Sequence, residues 1–256
     1  MTEKKNYIFF KRNGYLLIKI FSKSDIKFIN NTIKNKINSL LGRKNKIKSL
    51  ENYHKIVSDK EHLKIVNGKS RNIALSKKIL AKIFKNKKIL HLTKNYWKHN
   101  TFSLNWVGNL KKKQVKRNVT GFRIARPVLY KNNILTKKDV GGVHFDLFYG
   151  GRVNNNYKSL MTIWCPIVGF SNKFTLNISP KSHLIKHYKK YLSKQSIYIS
   201  PVFLNNYTKK FKFFRPNLQV GQAIIFHPNL LHGASNNIGS ITRVSIDLRI
   251  FNKDFI

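Results

Sequence analysis

From Arg243 to Ile250 polar and apolar residues alternate without a break: Arg243, Val244, Ser245, Ile246, Asp247, Leu248, Arg249, Ile250. Side chains on a β-strand point to opposite faces with a period of two, so the segment fits a strand with one face packed against a core. The other face then carries two arginines, a hydroxyl and a carboxylate. Taken alone, it reads as a solvated face stitched together by Asp247. Two earlier segments change that reading.

Val140-Gly141-Gly142-Val143 leads into His144-Phe145-Asp146, and Leu147-Phe148-Tyr149-Gly150-Gly151 follows, which is an apolar, aromatic strand bounded by glycines. On a strand, His144 and Asp146 would share a face. An aspartate in such surroundings is costly to bury unless it is paired or binds a metal. Later, Leu218 to Phe226 reads as a turn and a buried strand, then Pro228-Asn229-Leu230-Leu231 connects to His232-Gly233. Two histidines and one carboxylate can occupy one face of an octahedral Fe(II) and leave positions open for a co-substrate and O2. A planar guanidinium with a hydroxyl two residues on can grip a carboxylate. Spacing alone makes His-x-Asp a weak signal, and other histidines compete. His227 lies five residues before His232 and abuts Phe226 and Pro228, His183 ends the run Ile178-Ser179-Pro180-Lys181-Ser182-His183, and His54, His62, His91 and His99 fall among lysines and read as surface or packing residues.

The order His144-x-Asp146, His232, Arg243-x-Ser245 resembles the Fe(II)/2-oxoglutarate-dependent oxygenases. The run ending in His183 resembles the proline-glycine-serine-histidine turn of the phytanoyl-hydroxylase-like branch, with Lys181 where glycine is usual. Gly121 to Pro127, Val140 to Gly150, Ile163 to Ile167 and Thr242 to Arg249 look like the oxygenases of bacterial carbohydrate-biosynthesis clusters, including the streptomycin-biosynthesis-like proteins. Trp164-Cys165-Pro166 departs from the usual Trp-Leu-Pro. The resemblance implies Fe(II) on His144, Asp146 and His232. It implies 2-oxoglutarate held by Arg243 with Ser245, Arg249 being the alternative clamp. The chemistry it implies is iron-centred, with no separate acid or base, yielding succinate and CO2 and usually a hydroxylated substrate. Arg123 with Tyr149 and Trp164 would suit an anionic sugar or nucleotide-sugar intermediate. Arg123 and Arg126 are oddly spaced, so at most one of them faces inward. Other readings are an oxygenase or demethylase acting on nucleic acid or a protein side chain, and a non-enzymatic jelly roll that binds an anion or metal.

The net charge of +42 points first to nucleic acid. However, ten arginines leave 41 of the 51 basic residues as lysine, and Asn and Ile are abundant too, as A/T-rich codons would produce. The lysines are spread through the chain, with Lys111 to Arg117 the nearest thing to a cluster and a candidate hairpin turn or loop. Nucleic acid is therefore a possible but not a favoured partner, and a small-molecule substrate is expected. A single cysteine, Cys165, excludes an intrachain disulfide framework. No apolar run is long enough to span a membrane, and no signal peptide is evident, so the expectation is a cytoplasmic protein.

Residues 1–256 are expected to form one oxygenase domain: a helical layer over 1–100, and a double-stranded β-helix (jelly-roll, cupin-like) core over 101–256, with an insertion at about 184–216 covering the site. Ser24-Asp25 would cap a helix whose Ile26, Ile29, Ile33 and Ile37 share a face, ended by Gly42. Leu50 to Val66 and Leu75 to Leu92 read as two more helices. Strands are expected at Tyr15–Phe21, Phe102–Val107, Val119–Ala125, Val143–Phe148, Leu160–Ile167, Thr175–Ile178, Gln222–Phe226 and Ile241–Phe251.

Overall fold

The computed structural model describes residues 3–42, 46–98, 102–103, 105–110, 113–118, 120–128, 139–140, 142–146, 160–172, 174–186 and 203–252. Helices dominate the first hundred residues: α1 (Glu3–Asn13), α2 (Lys23–Leu41), α3 (Tyr53–Ile56), α4 (Asp59–Val66), α5 (Lys77–Phe84) and α6 (Lys87–Trp97), with short strands β1 (Tyr15–Lys19) and β2 (Asn72–Ile73) between them. Strands then take over: β3 (Phe102–Ser103), β4 (Asn105–Leu110), β5 (Lys113–Asn118), β6 (Thr120–Ala125), β7 (Leu160–Val168), β8 (Leu176–Ile178), β9 (Gln222–Phe226), β10 (His232–Ala234) and β11 (Arg243–Asn252). A single turn, α7 (Asn205–Thr208), lies between β8 and β9.

One antiparallel sheet has the order β1-β9-β7-β11-β6-β2, with β3 also on β11. Its outer face bears Ile163, Cys165, Ile225, Val244, Ile246 and Ile250, all buried in one cluster with Ile29, Ile33 and Ile37 of α2, Ile79 and Ile83 of α5, and Ile89 of α6. The α2 isoleucines recur at helical spacing, so a single stripe meets the sheet. The inner face belongs to the alternate residues. On β11 these are Arg243, Ser245 and Asp247, each buried, so both faces of that strand leave water. Opposite lies a small sheet of β8 and β10, extended by the bridges His144–His232 and Ile178–Phe214.

Several expectations need correction. Among the described residues the two sheets do not join into the closed barrel anticipated from the sequence; the fold is mainly antiparallel sheet with helices. The Leu50–Val66 helix is broken after Ile56 because Ser58 starts a new one, with a reciprocal capping box to Glu61. Leu75–Leu92 is likewise two helices, since the Asn86 side chain accepts from the backbone of Lys88 and Ile89 and begins α6. Ser22, not Ser24, caps α2, with Asp25 as its capping-box partner. Helix α1 falls within the helical layer expected over 1–100, where no individual element is assigned from sequence before the Asn13-Gly14 turn. Val143–Phe148 forms no strand over its described part: pairing is confined to His144 with His232. In the basic run, Lys113 to Arg117 lies in β5, paired with β4, while Lys111 and Lys112 fall outside the described residues. Of the expected insertion, 187–202 is outside them; the remainder brings Phe203 and Tyr207 onto Phe145 and Leu231.

A buried ionic cluster ties the helical layer to the sheet. Arg126, just past β6, pairs with Asp59 of α4 at 2.5 Å and with Asp139 at 2.9 Å, and His62 of α4 meets Asp139 at 3.1 Å. His54 bonds Thr242 at 2.9 Å and His91 pairs with Glu3 at 3.4 Å, both packing roles; His99 lies outside the described residues.

Candidate metal and co-substrate site

His144 and His232 face one another across the small sheet, their backbones exchanging both hydrogen bonds of the bridge at 2.9 and 3.0 Å. Asp146, two residues on, completes the group. Its Oδ1 lies 3.8 Å from Nε2 of each histidine, and one ligand atom from each of the three falls within 4.8 Å of the others. Both rings are oriented by backbone carbonyls. Nδ1 of His144 meets the carbonyl of Gly142 at 2.8 Å, and Nδ1 of His232 meets that of Leu230 at 2.9 Å. If each Nδ1 donates its proton there, both Nε2 lone pairs are left for a metal.

Electrostatics favour the ligating forms. Burial, helped by the neighbouring His232, pushes His144 down to about 4, so the ring is neutral at pH 7. Burial and Arg249 lower His232 as well, against the pull of Asp146. Burial alone would raise Asp146, but Arg249, the two histidines and the Thr162 hydroxyl overcome it and hold the carboxyl below its usual range. Thr162 donates to Oδ2, leaving Oδ1 toward the histidines. Two neutral imidazoles and one carboxylate are a donor set that suits Fe(II), so the residues present fit that ion.

Arg243 is 4 % exposed and donates to the backbone carbonyls of Phe174 and, at 3.0 Å, Ser235. Among the described residues it has no ion pair with a carboxylate. Burial, with Arg215 nearby, pushes it down to about 10, so it stays charged at neutral pH. A buried guanidinium of this kind is a ready partner for an incoming carboxylate. Ser245 is buried two residues along on the same face. Arg249 stands elsewhere: Nη2 is 3.5 Å from Asp146 Oδ1 and Nη1 is 3.6 Å from Asp247. Arg123 makes a two-pronged pair with Asp247, at 3.0 and 3.3 Å, and its side chain is 40 % exposed. Trp164 is buried with Ile178, Ile224 and Phe226, whose ring centre is 4.5 Å from that of His232. Tyr149 lies outside the described residues. His183 and His227 sit together, ring centres 5.0 Å apart, and neither belongs to the metal-capable group. Thr162 was not anticipated, although it is the one hydroxyl in the otherwise apolar run Leu160–Val168 and shares the Trp164 face.

Fold and site together present a His-Asp-His group that could hold one metal ion, on an antiparallel β scaffold whose strand β11 also carries the buried Arg243. The family described as phytanoyl-CoA dioxygenase (PhyH) matches residues 10–245, and the chain belongs to it. It is thus an enzyme of the Fe(II)- and 2-oxoglutarate-dependent oxygenases, with those two groups as its cofactor and co-substrate. No curated protein sequence matches the chain. Among solved structures, EctD from S. alaskensis with 2-oxoglutarate and 5-hydroxyectoine is similar, with 13% identity, a TM-score of 0.59, and coverage of 100% of this chain and 77% of that one. The non-heme alpha ketoglutarate dependent carbocyclase SnoK from nogalamycin biosynthesis has 12% identity and a TM-score of 0.56 over 97% of this chain and 83% of its own. The epimerase SnoN from the same biosynthesis has 11% identity and a TM-score of 0.54, covering 98% and 83%. At these identities the likeness is one of fold. No described helix is long and apolar enough to cross a membrane.

Proposed function

We propose that the protein hydroxylates a small anionic metabolite, such as a carbohydrate or nucleotide-sugar intermediate, using Fe(II) held by His144, Asp146 and His232 and 2-oxoglutarate held by Arg243 with Ser245. The observation that carries this reading is the convergence of two Nε2 atoms and one carboxylate oxygen, together with a buried arginine that donates to the backbone carbonyls of Phe174 and Ser235. When bound, iron and co-substrate supply the oxidising chemistry. The chain does the rest. Gly142 and Leu230 hold the imidazoles in one tautomer, Thr162 and Arg249 turn the Asp146 carboxylate, and Arg243 anchors a distal carboxylate. Phe203 and Tyr207 pack over Phe145 and limit access of water. We read the two sheets as halves of a double-stranded β-helix, and the chain as one oxygenase domain.

Arg123 is the proposed substrate contact. It is the partly exposed arginine on the face of Ser245 and Asp247, and a substrate anion can compete with Asp247 for it. Small-molecule substrates fit EctD, solved with 5-hydroxyectoine, and SnoK and SnoN of nogalamycin biosynthesis. Arg123→Ala tests the assignment once a substrate is found. Substrate turnover should fall while 2-oxoglutarate is still converted to succinate; undiminished turnover would remove Arg123 from the site.

A further inference from the structure

On the far side of the His232 turn is a cavity of about 480 Å³ that none of the proposed metal, co-substrate or substrate residues lines. That volume falls in the usual range for small-molecule sites. Tyr7 and Lys11 of α1, Tyr96 and Lys98 at the end of α6, and the paired rings of His183 and His227 form its walls. Among the described residues the lining contains two ammonium groups and no carboxylate, with aromatic rings beside them. His227 is pushed down to about 3 by burial, and His183 is lowered for the same reason, so both rings are neutral near pH 7 and offer hydrogen bonds rather than charge. Nδ1 of His227 accepts the Asn229 N–H at 3.0 Å, which places its ring proton on Nε2.

Among the described residues, two non-glycine positions have positive φ, Lys98 at 67° and Lys181 at 66°. Lys98 lines the cavity; Lys181 opens the turn that carries His183, and its N–H donates to Asn13 at the end of α1 at 3.1 Å. Lys98 is the left-handed C-cap of α6, an ordinary helix ending at which glycine is favoured over lysine by about 1 kcal/mol. The cavity wall also supports His232. In the turn after β9, Asn229 bonds His227, the Leu230 carbonyl accepts from His232, and the Leu231 N–H donates to Ser182 at 2.9 Å, next to His183.

We propose that this cavity is a second binding site, for a small organic phosphate bearing a flat or sugar ring, and that its occupancy is coupled through the 227–231 turn to His232. The phosphate lies between Lys11 and Lys98 and the ring packs on Tyr96. The coupling rests on the metal-ligand role of His232 given above, whereas the binding does not.

The test is calorimetric titration of the iron-free full chain, at physiological salt so that bare surface charge is screened. AMP and ribose 5-phosphate serve as probes, with inorganic phosphate and adenosine as their halves. At least one probe should bind one-to-one, on the order of tenfold tighter than either half. The Lys11→Ala/Lys98→Gly pair should weaken that binding on the order of tenfold, whereas Lys23→Ala/Lys27→Ala on α2 should leave it unchanged. Glycine relieves the left-handed position, so Lys98→Gly should keep or raise Tm, which separates lost binding from lost folding. Probes binding no better than inorganic phosphate, or equal losses in both lysine pairs, would overturn the site. For the coupling, Fe(II) affinity should shift when the wild type is saturated with the probe and not in the Lys11→Ala/Lys98→Gly pair; equal affinity with and without probe would overturn it.

Discussion

The guanidinium of Arg249 lies 3.5 Å from the Asp146 oxygen that faces both histidines. Asp247 bridges Arg249 to Arg123, so a chain of alternating charge runs from the proposed metal ligand to the partly exposed arginine. Arg249 is thereby paired with both Asp146 and Asp247, and the proposed carboxylate clamp is Arg243. Groups that orient a metal ligand typically contribute 10- to 100-fold in metal affinity. Arg249→Gln should weaken Fe(II) binding within that range, measured by anaerobic titration.

Thr162→Val is a finer version of the same test. Valine keeps the shape of threonine but cannot donate to Asp146 Oδ2. Fe(II) should bind about tenfold more weakly with Tm close to wild type. An unchanged dissociation constant would show that Asp146 is held without the hydroxyl.

Arg243→Lys separates co-substrate binding from metal binding. Lysine keeps the charge but loses the planar fork, worth about 1.5–3 kcal/mol per charged hydrogen bond. The Kd for 2-oxoglutarate should rise roughly 10- to 100-fold while Fe(II) affinity stays put. A fall in Fe(II) affinity alone would contradict the clamp assignment.

Asp139 holds the helical layer to the sheet through Arg126 and His62. Burial would raise its pKa, but bonds and charge from His62 and Arg126 overcome that and hold it below its ordinary value. Asp139→Asn leaves Arg126 under-compensated in a buried place and should cost about 3–5 kcal/mol, read as a lower urea midpoint. Arg126→Lys should recover part of the fold but not the two-sided contact.

His227 gives the protein a pH signature. Its folded value of about 3 is below the unfolded 6.5, so the neutral ring is favoured by folding. That contribution is fully present above pH 6.5 and declines as pH falls from there toward 3, by at most about 1.4 kcal/mol per unit. His227→Gln, which cannot protonate, should flatten the stability curve between those limits. Equal slopes in both proteins would mean that the ring stays accessible to protons.

The polar face of β11 was legible from alternation alone, but its surroundings were not. Alternation cannot distinguish a solvated face from one covered by a second sheet, and here Asp247 both stitches the arginines and sits within reach of the site. His144 and Asp146 were found for a reason that only partly holds, since one bridge rather than a strand aligns them. What the sequence hid was tertiary: Thr162 matters because Asp146 happens to meet it, and the Gly142 and Leu230 carbonyls carry no residue signal. Helix breaks at Ser58 and Asn86 were readable as caps, yet each stretch was read as one continuous helix. Asp25 and Glu61 serve helix caps, Asp59 and Asp247 pair with arginines, and Asp25 also meets Lys82 at 3.7 Å.

The central claim is that His144, Asp146 and His232 hold Fe(II) next to a co-substrate gripped by Arg243. Anaerobic addition of Fe(II) and 2-oxoglutarate to the wild type, His232→Ala and His91→Ala tests it through the weak visible charge-transfer band of the chelated pair. The account predicts a band that needs both additions, persists in His91→Ala and disappears in His232→Ala. A band that survives in His232→Ala, or none in the wild type, would contradict it.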